Sequence, residues 1–371
     1  CRRAACSEPV RWTEISRTDE AISSMTVLIN AGTHDTHAKA VVWGLRRKGT
    51  TVFHLASDRF CQTTAFSIRV GAAQSGATLA IDGETVALDQ LSAVWHRRPF
   101  EALQNAGVQP EDEVFARGES QLMREGLYRS LELVPAVNPL DALVRAENKI
   151  HQLKHAAELG FQLPATLISG SPEDVRGFLA QHAECIYKPL RGHVWKSDSA
   201  RRATYTAKVS EADLPADSLL RAAPGIYQAR VEYAFEVRAQ FFGRQCAAIR
   251  IEQPTDGSLD WRRSQGTIDT CEVVDVPLDL QQRCHRLMEA LGLVAAGFDF
   301  LVTDDGRWIF LEINQAGQFL FVEQWCPGLP MLDMFCEFIR APSLQWRYDM
   351  GHAHRRISYS EFIESTSVIT S

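Results

Sequence analysis

The segment that most restricts the fold is residues 297–319, GFDFLVTDDGRWIFLEINQAGQF. Two apolar runs, Gly297–Thr303 and Trp308–Ile313, flank Asp304-Asp305-Gly306, and that turn sequence favours a tight antiparallel hairpin. Asp299 lies on the first strand. Glu312 and Asn314 lie on the second, two apart, so they share one face. The hairpin brings Asp299 near that pair. Three hard oxygen donors converging in this way suit Mg2+, which keeps waters and phosphate oxygens in its other positions. Without a cation, two carboxylates among apolar residues would repel and lose solvation. Pairing of Asp299 and Glu312 with Arg or Lys is the other way to satisfy them, and the residues leave both readings open.

Upstream, strand and helix patterns alternate. Thr26–Asn30, Thr51–Leu55 and Ala93–His96 read as short buried strands, with a helix over Ala38–Lys48. This predicts a small parallel α/β layer. No GxGxxG follows the first strand, so a dinucleotide site is not indicated. Glu111–Leu131 reads as a long helix. Leu143–Leu159 carries apolar residues at helical spacing and is closed by Gly160. Glu184–Leu190, Tyr205–Val209, Ile226–Val231, Glu236–Phe242 and Cys246–Glu252 read as strands, the last two joined at Gly243-Arg244. Leu280–Leu291 reads as an amphipathic helix.

The chain has 371 residues, too many for one small core, and a net charge of -7 that argues against a generic nucleic-acid surface. Lys and Arg do cluster between Lys188 and Lys208, which leaves room for a local basic groove. No apolar run approaches the roughly 18 residues needed to cross a bilayer. The nine cysteines show no CxxC spacing, and most sit in apolar runs, as expected of reduced core thiols in a cytoplasmic protein. His34 and His37 in GTHDTH lack a third ligand of clear spacing, which disfavours a metal site there. Residues 1–24 read as an extension before a natural start at Met25, and the polar stretch after Tyr348 as a disordered tail.

The hairpin motif, FLEIN followed by Gly and an aromatic, resembles the C-terminal signature of the ATP-grasp superfamily, and within it the graspetide synthetases, which make side-chain ester or amide macrocycles in ribosomal peptides. Further matches occur in order. Val94-Trp95-His96-Arg97-Arg98-Pro99 resembles their VWxRRP segment. Asn138-Pro139, Ala146-Glu147-Asn148-Lys149, Leu159-Gly160-Phe161 and Pro164-Ala165-Thr166 resemble the start of the central domain. Tyr187-Lys188-Pro189-Leu190 resembles the second nucleotide lysine strand, and Asp260-Trp261-Arg262 a DWR element before the last helix. The resemblance covers about residues 26–340; the RimK-type peptide-glutamate ligases are similar but less close.

The resemblance implies an α/β (α+β) ATP-grasp fold. Its parts are an extension 1–24, an N-terminal pre-ATP-grasp domain 25–140, a central subdomain 141–225, a C-terminal subdomain 226–345 and a polar tail 346–371. It implies ATP and Mg2+ as cofactors, with Asp299, Glu312 and Asn314 holding the metal. Lys149 and Lys188 match the nucleotide lysines, and Arg191-Gly192-His193 the start of a loop over the triphosphate. Gln228, Ala229, Arg230 and Val231 match the adenine hinge. Glu236 matches a ribose or lysine contact and Arg238 a phosphate contact, although a cross-strand ion pair suits both equally. Arg262 matches the residue that stabilises the acylphosphate, where a permanent, forked cation fits spreading charge. Trp95, Arg97 and Arg98 stand at a strand end that in this family faces the acceptor peptide, where an arginine would hold a carboxylate; an ordinary solvated basic pair is the other reading.

The implied function is ATP-dependent phosphorylation of an Asp or Glu side chain of a precursor peptide, followed by attack of a Ser, Thr or Lys of the same peptide. A leader segment would bind between the N-terminal and central parts. The implied partners include no nucleic acid and no membrane, and a homodimer is left open. Two rivals remain: a RimK-like ligase adding an amino acid to a peptide or protein, and a nucleotide-binding regulatory protein without turnover.

Overall fold

The computed structural model describes residues 25–71, 75–104, 107–191, 194–197, 200–203, 206–253, 272–349 and 356–367. The expected α/β layer is present. Strand β1 (Thr26–Ala31) pairs in parallel with β2 (Thr51–Ala56) and β6 (Ala93–His96), and β6 with β7 (Ala136–Val137). The helix Thr36–Arg47 crosses from β1 to β2. Asp35 starts it by accepting from Ala38 N at 2.9 Å. Strands β3 (Thr64–Arg69), β4 (Gly76–Ile81) and β5 (Glu84–Ala87) form an antiparallel meander that the sequence reading did not contain. The helix Glu113–Ser130 lies within the expected Glu111–Leu131.

The predicted single helix Leu143–Leu159 is two helices, Leu140–Glu147 and Lys149–Glu158. Asn148 breaks it: its backbone is extended, and its Oδ1 accepts from Ile150 N (3.0 Å) and His151 N (3.2 Å), capping the second helix. The apolar period runs through the break, which hid it. A second sheet follows, with the order β12 (Ala207–Val209), β9 (Cys185–Lys188), β13 (Gly225–Ala229), β8 (Thr166–Ser169), all antiparallel. β10 (Val194–Ser197) and β11 (Ala200–Ala203) pair as a separate hairpin.

The third sheet has the order β16 (Glu272–Val273), β15 (Gln245–Ile251), β14 (Phe235–Phe242), β17 (Ala295–Val302), β18 (Trp308–Asn314). Its strands alternate. Val237, Ala239, Phe241, Phe298, Phe300 and Phe310 pack against the helix Leu278–Leu291 and the two helices around Asn148. Glu236, Arg238, Gln240, Gly297 and Asp299 occupy the other face of β14 and β17. A second core joins the beginning of the chain to its end: Val27, Ile29, Val41 and Leu45 pack with Phe242, Ile249 and the helix Met331–Ile339.

The stretch after Tyr348, read as a disordered tail, contains the helix Tyr359–Ser367, whose Phe362 is buried in that core. Two buried acids hold it: Asp333 accepts from Ile357 N at 3.0 Å and Glu323 from Tyr359 N at 2.7 Å. Cys61, Cys185, Cys246, Cys284 and Cys336 are free thiols, as expected, whereas Cys326 is disulfide-bonded. No helix among the described residues is long and apolar enough to cross a membrane.

Candidate active site

The hairpin β17–β18 forms as its sequence predicts, but with one extra residue. Asp299 pairs with Glu312 and Gly297 with Asn314, while the next pair is Phe300 with Phe310. Leu311 is bulged. In an unbroken register Phe310 and Glu312 would share a face. The bulge sends Phe310 into the core and leaves Glu312 and Asn314 beside Asp299. The side-chain period alone could not show this.

The next strand completes a row. Arg238 on β14 stands opposite Asp299, and its Nη1 donates to both carboxylate oxygens, at 2.9 and 3.0 Å. At the other end Lys149 Nζ pairs with Glu312 Oε2. Lys149 is the first residue of the helix that Asn148 caps, so the cap also aims the lysine. Across three strands and one helix the charges therefore run Arg238, Asp299, Glu312, Lys149: plus, minus, minus, plus. Two carboxylates directly opposite on neighbouring strands would destabilise the sheet if left alone, and each is paired with a cation. Both sequence readings of this segment thus meet in one place. The carboxylates expected to hold metal are ion-paired with the cations expected to hold phosphate.

Arg238 is 4% exposed and sits in a slot. A Cβ on Gly297 would lie 2.5 Å from its Cζ, and one on Gly317 would overlap its Nη2, so a side chain at either position would force the guanidinium to move. Its Nη2 donates to Gln318 O at 3.2 Å, and its Nε is buried without a hydrogen-bond partner. An isolated glycine inside a strand permits such a close approach.

The loop after β18 is clamped from several elements. Asn138 Nδ2 donates to Gln315 O (3.0 Å) and to Ala295 O (2.9 Å), and its Oδ1 accepts from Val294 N and Ala295 N. Arg97 Nη1 donates to Ala316 O. Asn314 Oδ1 accepts from Ala316 N at 3.2 Å. His37 Nε2 accepts from Phe319 N (3.1 Å) and Leu320 N (3.2 Å) at the start of the helix Leu320–Trp325. His37 is therefore a neutral helix cap, its pKa pushed down to about 3 by burial and then by Arg97. His34 is exposed. Among the described residues no group of three His, Cys, Asp or Glu could hold a metal; the hairpin set has two carboxylates and an amide.

The other predicted residues fall in different places. Arg97 is 1% exposed, with Asp35 Oδ2 at 3.4 Å from its Nε; Arg98 is half exposed, 3.8 Å from the same oxygen. Trp95 is buried in the core shared by the two ends of the chain. Lys188 and Gln228 lie on the neighbouring strands β9 and β13. Gln228 Nε2 donates to Thr166 Oγ1 at 3.0 Å, while its Oε1 is buried without a hydrogen-bond partner. Ala229 N and Arg230 N donate to Ala165 O and Glu184 O, and the Arg230 side chain pairs with Glu184 at the surface. Val231 follows in the connection to β14. Glu236 is buried and accepts from Tyr233 OH at 3.1 Å. Arg262 and its neighbours Asp260, Trp261 and Arg263 lie outside the described residues.

The chain as a whole resembles known proteins. Residues 26–144 match the MvdD pre-ATP grasp domain family. Macrocyclase MdnC of Microcystis aeruginosa MRC, solved with precursor peptide MdnA, is 26% identical with a TM-score of 0.74, over 85% of this chain and 99% of that one. A RiPP-associated ATP-grasp ligase of Chryseobacterium gregarium, solved with ADP and a leader and core peptide, has a TM-score of 0.76 at 23% identity, over 88% of this chain and 100% of that one. A probable alpha-L-glutamate ligase of Xanthomonas oryzae pv. oryzae is 25% identical over 226 residues, 58% of this chain and 73% of that protein. With a pre-ATP-grasp domain over residues 26–144 and a likeness to MdnC along nearly the whole of that chain, the protein is an ATP-grasp ligase most similar to the graspetide synthetases.

Proposed function

We propose that this enzyme uses ATP and Mg2+ to phosphorylate a side-chain carboxylate of a ribosomal precursor peptide, and that a hydroxyl or amine of the same peptide displaces the phosphate to close an ester or amide ring. The observation that carries the reading is the charge row. Two carboxylates and an amide oxygen on adjacent hairpin positions form a donor set suited to Mg2+, and Asn314 Oδ1, which accepts from Ala316 N, keeps a second lone pair. The buried Arg238 Nε without a partner suits an anion beside it. Bound metal would supply charge neutralisation on the phosphates. The chain's own part is to hold the triphosphate: Lys149, Lys188 and Arg238 supply cations, and Glu236 a ribose contact. Because Ala229 N and Arg230 N serve the sheet, adenine recognition at Gln228–Val231 falls to that segment's other groups. Arg262 is assigned the developing oxyanion, and Arg98, the exposed member of its pair, the substrate carboxylate. The division 25–140, 141–225 and 226–345 and a cytoplasmic setting belong to the same proposal.

The likeness of MdnC and the Chryseobacterium gregarium enzyme, each solved with its peptide, supports a peptide with a leader as partner. The match to a probable alpha-L-glutamate ligase keeps addition of an amino acid as the second reading. Mass spectrometry separates them. With ATP, Mg2+ and a peptide encoded beside the gene, ring closure removes one water per ring, whereas ligation adds a residue. Glu312→Gln should abolish turnover in either case. ATP consumption by wild type without any loss of water from the peptide would reject macrocyclisation, and no turnover at all would point to a regulatory binder.

A further inference from the structure

We infer that Arg97, backed by Asp35, is a positioning residue: it fixes the loop after β18 and, through that loop, the metal- and phosphate-facing groups Asn314 and Arg238. The inference rests on the ATP-grasp reading above and goes beyond it, because it removes Arg97 from the surface that meets substrate. At 1% exposure its guanidinium lies beneath the surface, with Nε and Nη2 buried and without hydrogen-bond partners. Its Nη1 instead donates to Ala316 O. The N–H of that same Ala316 donates to Asn314 Oδ1, so one peptide unit on each side of Ala316 links Arg97 to a proposed metal donor. One residue on, Gly317 closes the slot around Arg238, and Gln318 O accepts from that arginine. Displacing Ala316 would therefore disturb Asn314 and Arg238 together.

Asp35 makes the arrangement stable. It lies 3.4 Å from Arg97 and also caps the helix Thr36–Arg47 through Ala38 N, so the strut is anchored in the first crossover of the pre-ATP-grasp domain. His37, two residues on, holds the far end of the same loop at Phe319 and Leu320. The pre-ATP-grasp domain thus contributes to the metal site without contributing a ligand. Groups that orient ligands from behind typically govern metal affinity about 10- to 100-fold.

The test is calorimetric titration of ADP into full-length protein, with and without Mg2+, for wild type, Arg97→Met, Arg97→Lys and Asp35→Asn. In wild type, Mg2+ tightens ADP binding. In Arg97→Met that gain should shrink by about tenfold or more, metal-free ADP affinity should fall by a smaller factor through the disturbed Arg238, and peptide affinity should hold. Arg97→Lys, which keeps the charge and one donor direction, should recover part of the gain. Should Arg97→Met fail to fold, Arg97→Lys and Asp35→Asn carry the comparison, each showing a smaller loss of the same sign. A full Mg2+ gain in these variants overturns the inference, as does a loss confined to peptide affinity, which would make Arg97 a substrate contact. Wild-type protein that binds no ADP would instead sink the parent reading.

Discussion

At the residue scale the site depends on side chains that are absent as much as on those present. Gly297 and Gly317 leave the volume that the Arg238 guanidinium fills beside Asp299. Gly317→Ala should push that guanidinium out of line. A displacement on the order of 1 Å costs about 100-fold in turnover where reacting groups must align, so the variant is expected to fold, to bind peptide normally and to lose about that factor in phosphate release. Wild-type turnover in Gly317→Ala would show that the slot is incidental. Much of this site was legible beforehand. Asp299, Glu312 and Asn314 stand out as polar residues on apolar strands, whereas Arg238 and Lys149 came forward only through the family resemblance. Arg97 was not legible: Arg-Arg before Pro reads as a solvated pair, and only the tertiary fold shows that Arg97 is buried while Arg98 is half exposed. His37 was similarly hidden, since a histidine capping a distant helix leaves no local spacing.

Among elements, the boundaries that sequence could place were those with strong punctuation. The β17–β18 hairpin follows from Asp304-Asp305-Gly306, and the helix Leu278–Leu291 from its apolar face. The break at Asn148 escaped because Ala146, Ile150, Leu153 and Ala157 keep helical phase across it; a capping side chain, not a change of period, ends one helix and starts the next. The C-terminal helix escaped because Ser- and Thr-rich composition reads as tail, whereas its order comes from distant acids. Asp333 is the centre of that attachment: Lys48 Nζ lies at 2.7 Å, Tyr348 OH at 2.6 Å and Ile357 N at 3.0 Å. Removing one member of a buried charged group leaves the others unpaired, at a cost of about 3–5 kcal/mol. Asp333→Ala should lower the stability measured by denaturant titration by about that amount, and limited proteolysis should then cut near residues 356–367. An unchanged cleavage pattern would mean that the hydrophobic contacts of Phe362 alone hold the helix.

For the whole molecule, the decisive fact is that the core containing Val27, Val41 and Leu45 is completed by Leu332, Phe335, Phe338 and Phe362. The helix Thr36–Arg47 has one apolar side against β1 and another against the helix Met331–Ile339. Residues 25–140 produced alone should therefore bare that second side. We expect such a fragment to bind a hydrophobic dye and to lack a sharp thermal transition, while the full chain melts with its first and last elements together. A cooperative transition in the isolated fragment would show that the β1 layer needs no cover.

That arrangement also sets a timetable. The first helix leaves the ribosome long before Met331–Ile339 is made, and at about 5–20 residues per second the wait is on the order of tens of seconds. Throughout it, the side of that helix that meets Met331–Ile339 lacks its cover. Growing chains of this enzyme should therefore engage chaperones that shield nascent hydrophobic surface, and release from them should track the emergence of the last quarter of the chain.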